Sequence, residues 1–295
     1  VTENNWGRRY LMCRPDNFDV FYEINPWMQS EVKPDTEKAI IQFEGLVETL
    51  AAAGAEIEFM APVPGLPDLV FTANAGIVNG KQFVPAAFKH AERQGETPYD
   101  EAWFKERGYT VTPLPAGMCH EGAGDALPFV LPGEAGRPEP AMALVSGYRF
   151  RSDIASHAQL SRLLGAPVRS VELVDERIYH LDLTFCPLDD RHAIIAPIGL
   201  DQYGLAVLAG LVPEPLILED DEATAFVANS VVVGSNIVMA SCPPRVGRIL
   251  EGWGFSIAEA SVGEFLKAGG GCRCLTLALD VSLGGAANSP PAGDD

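Results

Sequence analysis

No stretch of apolar residues in this 295-residue chain is long enough to cross a bilayer. The first residues, Val1 to Trp6, contain no apolar core of the kind a signal peptide needs. Positive charge is scarce: 21 Lys and Arg stand against 40 Asp and Glu, a net charge of −19. So acidic a surface repels phosphate backbones and argues against nucleic acid as a partner. It favours solubility and would also concentrate small cations, and both readings stay open. Paired metal ligands are missing too. The six cysteines (Cys13, Cys119, Cys186, Cys242, Cys272 and Cys274) are scattered, and Cys272-x-Cys274 lacks zinc spacing and a second pair. Without a secretory leader, reduced thiols in the cytoplasm are expected. No Gly-x-Gly-x-x-Gly follows a strand, which disfavours a pyridine-nucleotide enzyme. Apolar content of 47% and charged content of 21% are those of an ordinary globular protein.

What is present is a repeat of about 50 residues. Five segments read as helices leading into short apolar strands: 36–53 into 57–60, 99–107 into 109–111, 152–164 into 168–173, 200–211 into 215–218, and 244–253 into 255–257. Four of the helices end at a glycine (Gly54, Gly108, Gly165, Gly254), suited to a left-handed cap. Each strand then leads to a polar residue and a paired apolar segment that reads as a hairpin. Residues 132–140, rich in Pro and Gly, read as a long hairpin loop. The fifth hairpin would take its partner from Tyr10–Cys13, closing a ring. Asn74, Glu121 with Asp125, His180 with Asp182, Asn229 and Cys274 then occupy equivalent places facing a common centre. One domain over 1–283 is expected, with 284–295 a disordered tail.

Gly269-Gly270-Gly271-Cys272-Arg273-Cys274 ends the series. Glycines permit close backbone approach. A neighbouring arginine can lower a thiol pKa, and the thiolate is the reactive form. Read as an extended segment, Cys272 and Cys274 share a face, so either could be the nucleophile.

In order along the chain, six motifs resemble the guanidine-modifying superfamily of arginine deiminases, dimethylargininases, bacterial arginine dihydrolases and amidinotransferases. They are Tyr22-Glu23-Ile24-Asn25-Pro26-Trp27-Met28, Phe71-Thr72-Ala73-Asn74, Glu121-Gly122-x-Gly124-Asp125 (an EGGD-type motif with Ala123 inserted), Gly147-Tyr148-Arg149-Phe150-Arg151-Ser152, His180-Leu181-Asp182, and Gly269 to Thr276. The resemblance implies a five-bladed α/β propeller built of ββαβ-type units. It implies Cys274 as nucleophile, His180 as general acid and base, and Glu121 as the carboxylate that orients it. It places Asp182 and Asn74 on the guanidinium, with Asn25 and Asn229 nearby. Arg93 and Arg151 would hold a substrate carboxylate, and Asp125 is counted with the substrate-binding residues, with support of the loop as its other role. Asn74 stands where deiminases resemble an Asp, which points to the dihydrolase-like branch or a methylated guanidinium.

The implied activity is dimethylargininase-like cleavage of a guanidinium C–N bond in arginine or an Nω-methylated arginine, through a covalent cysteine adduct, giving citrulline plus an amine or ammonia. No cofactor or metal is expected. The partner would be a small cationic guanidino compound, with homo-oligomerisation open. Alternatives are an arginine dihydrolase giving ornithine, CO2 and ammonia, an amidinotransferase, or a non-catalytic propeller that binds a protein.

Overall fold

The computed structural model describes residues 6–131 and 142–284. The expected loop over 132–140 and the expected tail lie outside these, apart from Gly284.

The chain begins with β1 (Arg9–Cys13), α1 (Thr36–Ala52) and β2 (Glu56–Met60). Three units follow: β3 (Gly76–Asn79), β4 (Gln82–Pro85), α2 (Thr97–Glu106), β5 (Thr110–Val111); β6 (Ala126–Val130), β7 (Met142–Tyr148), α3 (Ile154–Leu164), β8 (Val168–Glu172); and β9 (Phe185–Pro187), β10 (His192–Ile195), α4 (Gln202–Leu211), β11 (Glu214–Ile217). A short helix α5 (Asp220–Thr224) precedes β12 (Val231–Val233), β13 (Asn236–Met239), α6 (Pro244–Gly252) and β14 (Ser256–Glu259). Last come α7 (Gly263–Leu266) and β15 (Leu277–Ala278).

These make five three-stranded sheets with one plan: an antiparallel hairpin whose second strand also pairs in parallel with the strand after the helix. The fifth sheet is closed by the chain's two ends, with Tyr10 opposite Ala278 and Leu11 opposite Leu277. The fold is the five-unit α/β propeller that the sequence led one to expect.

Local chemistry explains the units. In α1, Asp35 caps the first turn by accepting from Lys38 N, at 3.1 Å. Ala39, Phe43, Leu46 and Leu50 fall on one stripe and are buried. At the end of α3, Gly165 takes φ +65°, a left-handed cap. The hairpin strands are buried along their length, as in Val231–Val233 and His192–Ile195, because sheet neighbours and helices cover both faces. Two short helices, α5 and α7, fall in segments read as strand-to-hairpin connections. Neither is long enough for a sequence period to show.

The turns ahead of the hairpins meet at the centre and are stitched into a cycle. Ala73 N donates to Cys274 O (3.1 Å), and Asn74 Nδ2 to Glu121 O (3.2 Å). Leu181 N donates to Asp125 Oδ1 (3.0 Å), Asn229 Nδ2 to Asp182 O (3.2 Å), and Arg273 N to Asn229 O (3.2 Å). Each bond joins one unit to the next, and the last returns to the first. This is why residues about 50 apart in sequence become neighbours.

Candidate active site

Cys274 lies in this central cycle, in a run of turns from Cys272 to Leu275, and β15 begins only at Leu277. The extended segment expected here is therefore absent, and the two cysteines do not share a face. Cys272 Sγ packs into the apolar core, with a distant contact to Ala260 O at 3.9 Å. Cys274 Sγ donates to Asp182 Oδ2 at 3.4 Å and accepts from Asn229 Nδ2 at 3.2 Å. Asn229 Oδ1 in turn accepts from Arg273 N (3.0 Å) and Cys274 N (3.3 Å), so one amide sets both the loop and the thiol.

The glycines allow this. A Cβ on Gly271 would come within 2.8 Å of Asn229 Oδ1, and one on Gly270 within 2.2 Å of the Phe71 ring. The close approach they permit is to protein side chains.

Arg273 is not among the main groups acting on the Cys274 thiol. It borders a separate cavity lined by Trp6, Leu127, Phe185 and Cys186, and its charge lowers Asp182, Cys186 and Tyr10. Burial pushes the Cys274 thiol well above its ordinary range, and the Asp182 carboxylate pushes it further. Burial also raises Asp182 to about 7, against the pull of Arg273. Burial and Asp182 thus both favour the protonated thiol.

His180 Nε2 lies 2.9 Å from Glu121 Oε2, with both side chains buried. Burial lowers the His180 pKa to about 4, with Glu121 acting the other way. Glu121 pays for its burial through Arg151, whose Nη1 donates to Oε2 at 2.9 Å. Arg151 and His180 together outweigh desolvation and hold the carboxylate well below its usual range.

Against Cys274 lies a cavity of about 10 Å³, the berth of one water, walled by Ile24, Asn25, Met28, Asp68, Phe71, Asn74, Arg93, Arg151, Tyr179, Ala268 and Gly270. Four of the five N–H donors of Arg93 are engaged with protein groups, leaving one on Nη1. It binds Glu96 through Nε (2.9 Å) and Nη2 (2.7 Å), Asn74 Oδ1 through Nη1 (2.8 Å), and Asp68 O through Nη2 (3.0 Å). Burial works against its charge, but Glu96 and Asp68 more than offset that. Arg151 also donates to Ile24 O at 2.9 Å. Asn25 anchors its loop, with Nδ2 on Ala268 O (3.1 Å) and Oδ1 accepting from Trp27 N (2.9 Å).

A second cavity of about 270 Å³ lies beyond, lined by Glu23, His90, Phe150 and Glu176. Ile24, Asn25, Arg151 and Tyr179 border both and form the partition.

Five of the ten expected residues, Asn25, Asn74, Arg93, Arg151 and Cys274, line this cavity. Asp182 and Asn229 bond the Cys274 thiol, Glu121 bonds Arg151, and His180 joins the group through Glu121. Asp125 has no such link. Its carboxylate turns away, with Oδ1 on Leu181 N (3.0 Å) and Oδ2 on the Ser152 hydroxyl (2.6 Å). The sequence reading missed Asp68. It is buried in the cavity wall with Oδ1 lacking any partner among the described residues, while Tyr22 donates to Oδ2 at 3.1 Å. Asp182 Oδ1 is likewise unpartnered. Asp68 follows Gly65-Leu66-Pro67 in a one-turn 3-10 helix, and nothing there distinguishes it from a solvated turn carboxylate. Among the described residues no group of His, Cys, Asp and Glu could hold a metal ion, and no helix is long and apolar enough to cross a membrane.

Comparison with known proteins places this geometry. The chain is 35% identical over 272 residues to the N(G),N(G)-dimethylarginine dimethylaminohydrolase of Mycobacterium tuberculosis, an alignment covering 92% of this chain and 86% of that one. The chain belongs to the guanidine-modifying family. It is also 43% identical over 272 residues to the bifunctional arginine dihydrolase/ornithine cyclodeaminase AgrE of Nostoc sp., with 91% of this chain covered. That match takes in only 37% of AgrE, so the chain spans little more than a third of that relative. The solved N-terminal domain of ArgZ, a cyanobacterial arginine dihydrolase captured as a cysteine-to-serine variant with substrate, superposes with a TM-score of 0.86 at 41% identity, covering 93% of this chain and 99% of that domain. A dimethylarginine dimethylaminohydrolase adduct shares the fold at a TM-score of 0.71 and 19% identity, with 92% of this chain covered. No protein-family model matches the chain.

Proposed function

We propose that this chain is a cofactor-independent thiol hydrolase that cleaves the guanidinium of free arginine and repeats the cleavage on citrulline, as an arginine dihydrolase. The observation that carries the hydrolase reading is the thiol of Cys274 held by Asp182 and Asn229 on the central cycle that also carries the His180–Glu121 pair. Two unpartnered buried carboxylate oxygens, on Asp68 and Asp182, complement the two cationic ends of arginine. Arg93 and Arg151 in the cavity wall complement its carboxylate.

The neutral thiol has a role in this scheme. A bound guanidinium brings positive charge beside Cys274 and favours the thiolate that desolvation otherwise suppresses. Sulfur attacks the guanidinium carbon as the thiol proton passes to the neutral His180, and the imidazolium so formed gives that proton to the departing ammonia, leaving an amidino thioether. Water, deprotonated by His180, then attacks that carbon and the C–S bond breaks, releasing citrulline. In a second round sulfur attacks the ureido carbon of citrulline, the second ammonia leaves, and another water breaks the C–S bond to give an Nδ-carbamate that falls to ornithine and CO2. The sum is arginine and two waters giving ornithine, CO2 and two ammonia.

The dihydrolase assignment leans on the greater likeness to AgrE and ArgZ than to the mycobacterial dimethylaminohydrolase. It also fits Asn74, an uncharged group whose Oδ1 is already taken by Arg93 and whose Nδ2 donates to Glu121 O. A methylated arginine is the second reading, favoured by the apolar Phe71 and Met28 in the cavity wall. Product analysis tests both. Arginine, monomethylarginine, dimethylarginine and agmatine are supplied separately, with and without an acceptor amine. Ornithine and ammonia from arginine are expected. Citrulline as the end product, or methylamines formed faster than ammonia, would replace the dihydrolase reading. An amidinated acceptor would make the protein a transferase.

A further inference from the structure

One position recurs in all five units: the residue immediately before the first hairpin strand. In three of them a small hydroxyl there ties up its own unit. Thr184 donates to Ala196 O, Ser230 to Val227 O (2.7 Å) and Thr276 to Arg273 O (3.0 Å). The fourth residue of the set is Ala75. The β6 unit has Asp125, a fully buried carboxylate where a threonine would serve the turn. Burying a carboxylate is unfavourable unless its oxygens are satisfied, and burial does push the Asp125 pKa well above its ordinary value.

Its two oxygens reach two different units. Oδ1 accepts the N–H of Leu181, the residue after His180, at 3.0 Å. Oδ2 accepts the hydroxyl of Ser152 at 2.6 Å, and that hydroxyl accepts the N–H of Glu121 at 3.0 Å. Glu121 and His180 then meet through their side chains at 2.9 Å, closing a loop. Opposite Oδ1 is Gly147, where a Cβ would come within 3.1 Å of it.

We propose that Asp125 is a positioning residue that fixes the Glu121–His180 pair by holding both backbones from behind, with Ser152 as its strut. It touches neither the cavity nor the reacting atoms. The proposal rests on the hydrolase reading for what the pair does, and on geometry alone for how the pair is held.

The test compares Asp125→Asn, Ser152→Ala and the double variant with the wild type. Steady-state turnover of arginine is one readout. The other is the downfield imidazole N–H signal of His180 in the proton NMR spectrum, identified by its loss in His180→Asn. Each single variant is expected to lower kcat about tenfold to a hundredfold, the scale of an ångström-size misplacement, while KM stays within about twofold. The double variant should lose no more than the worse single one, because both cut the same strut. The His180 signal should move upfield in all three. Folded variants with unchanged kcat and an unmoved signal would overturn the proposal, as would additive losses or a fall confined to KM. Should Asp125→Asn fail to fold, Ser152→Ala carries the test, since it breaks the strut without changing charge. The NMR arm needs no turnover. A shifted signal in a protein that cleaves no guanidino compound would sink the hydrolase reading and leave the positioning role standing.

Discussion

Two groups of buried histidine lie on either side of the Glu121 turn. His120 and His157 share the Ser146 hydroxyl, each at 3.1 Å, and His157 Nδ1 reaches the Ser170 hydroxyl at 2.7 Å. His180 has a carboxylate 2.9 Å away. Burial lowers all three, His120 to about 3 and the other two to about 4. Burial therefore does not distinguish a working histidine from a structural one. The carboxylate on the central cycle does, because it stabilises the imidazolium at the moment it forms; a carboxylate elsewhere is not enough, since His192 has Asp189 at 2.9 Å but packs against Trp253 and Phe255. The thiols repeat the contrast. Burial raises Cys272 to about 12 and lifts Cys274 as well, but only Cys274 faces an acid and an amide that a cation could bridge.

The sharpest way to break the contrast is at sulfur. Cys274→Ala is expected to lower kcat by at least about 10⁴-fold, while Cys272→Ala keeps most of the turnover and loses about 1 kcal/mol of stability. Equal losses in the two variants, measured by citrulline and ornithine formation, would erase the distinction. Next comes His180→Ala, expected to cost about 10³-fold and to leave a covalent adduct that persists in intact-mass spectra. Rapid clearance of that adduct would remove His180 from the water-activating step. Glu121→Gln keeps shape and removes charge, with an expected loss of about 10²-fold in kcat. His157→Ala sharpens the other side: activity within about twofold, and a denaturation midpoint lowered by the equivalent of about 1–2 kcal/mol for hydroxyls left without a partner. A large activity loss with intact folding would make the His120–His157 group functional.

The smallest effect is on acid stability. Histidines with pKa values lowered on folding take up protons in the unfolded chain first. Their contribution is neutral above the unfolded value near 6.5 and turns destabilising as pH falls from there toward about 4. His157→Ala should flatten that part of the stability curve in urea titrations at stepped pH. An unchanged slope would mean that His157 is not buried neutral.

Local chemistry carried most of the fold into the sequence. Asp35 ahead of the Ala39–Phe43–Leu46–Leu50 stripe, and Gly165 after Leu164, act within a few residues of themselves, so they can be read without knowing what packs against them. The equivalence of Asn74, Asn229, Asp182 and Cys274 was likewise legible, because a repeat is a property of order along the chain. Tertiary structure alone decided who partners whom. Arg93 and Arg151 read identically as free cations, yet one is bound by Glu96 and Asn74 and the other by Glu121 and Ile24 O. Arg273 adjoins Cys274 in sequence yet borders another cavity and is not among the main groups acting on the thiol. Asp125 lies in a recognisable motif and Asp68 in none, yet Asp125 faces Ser152 and Leu181 while Asp68 leaves an oxygen bare in the cavity wall. Direction, burial and charge balance arise between units, and a one-dimensional pattern records only what lies within them.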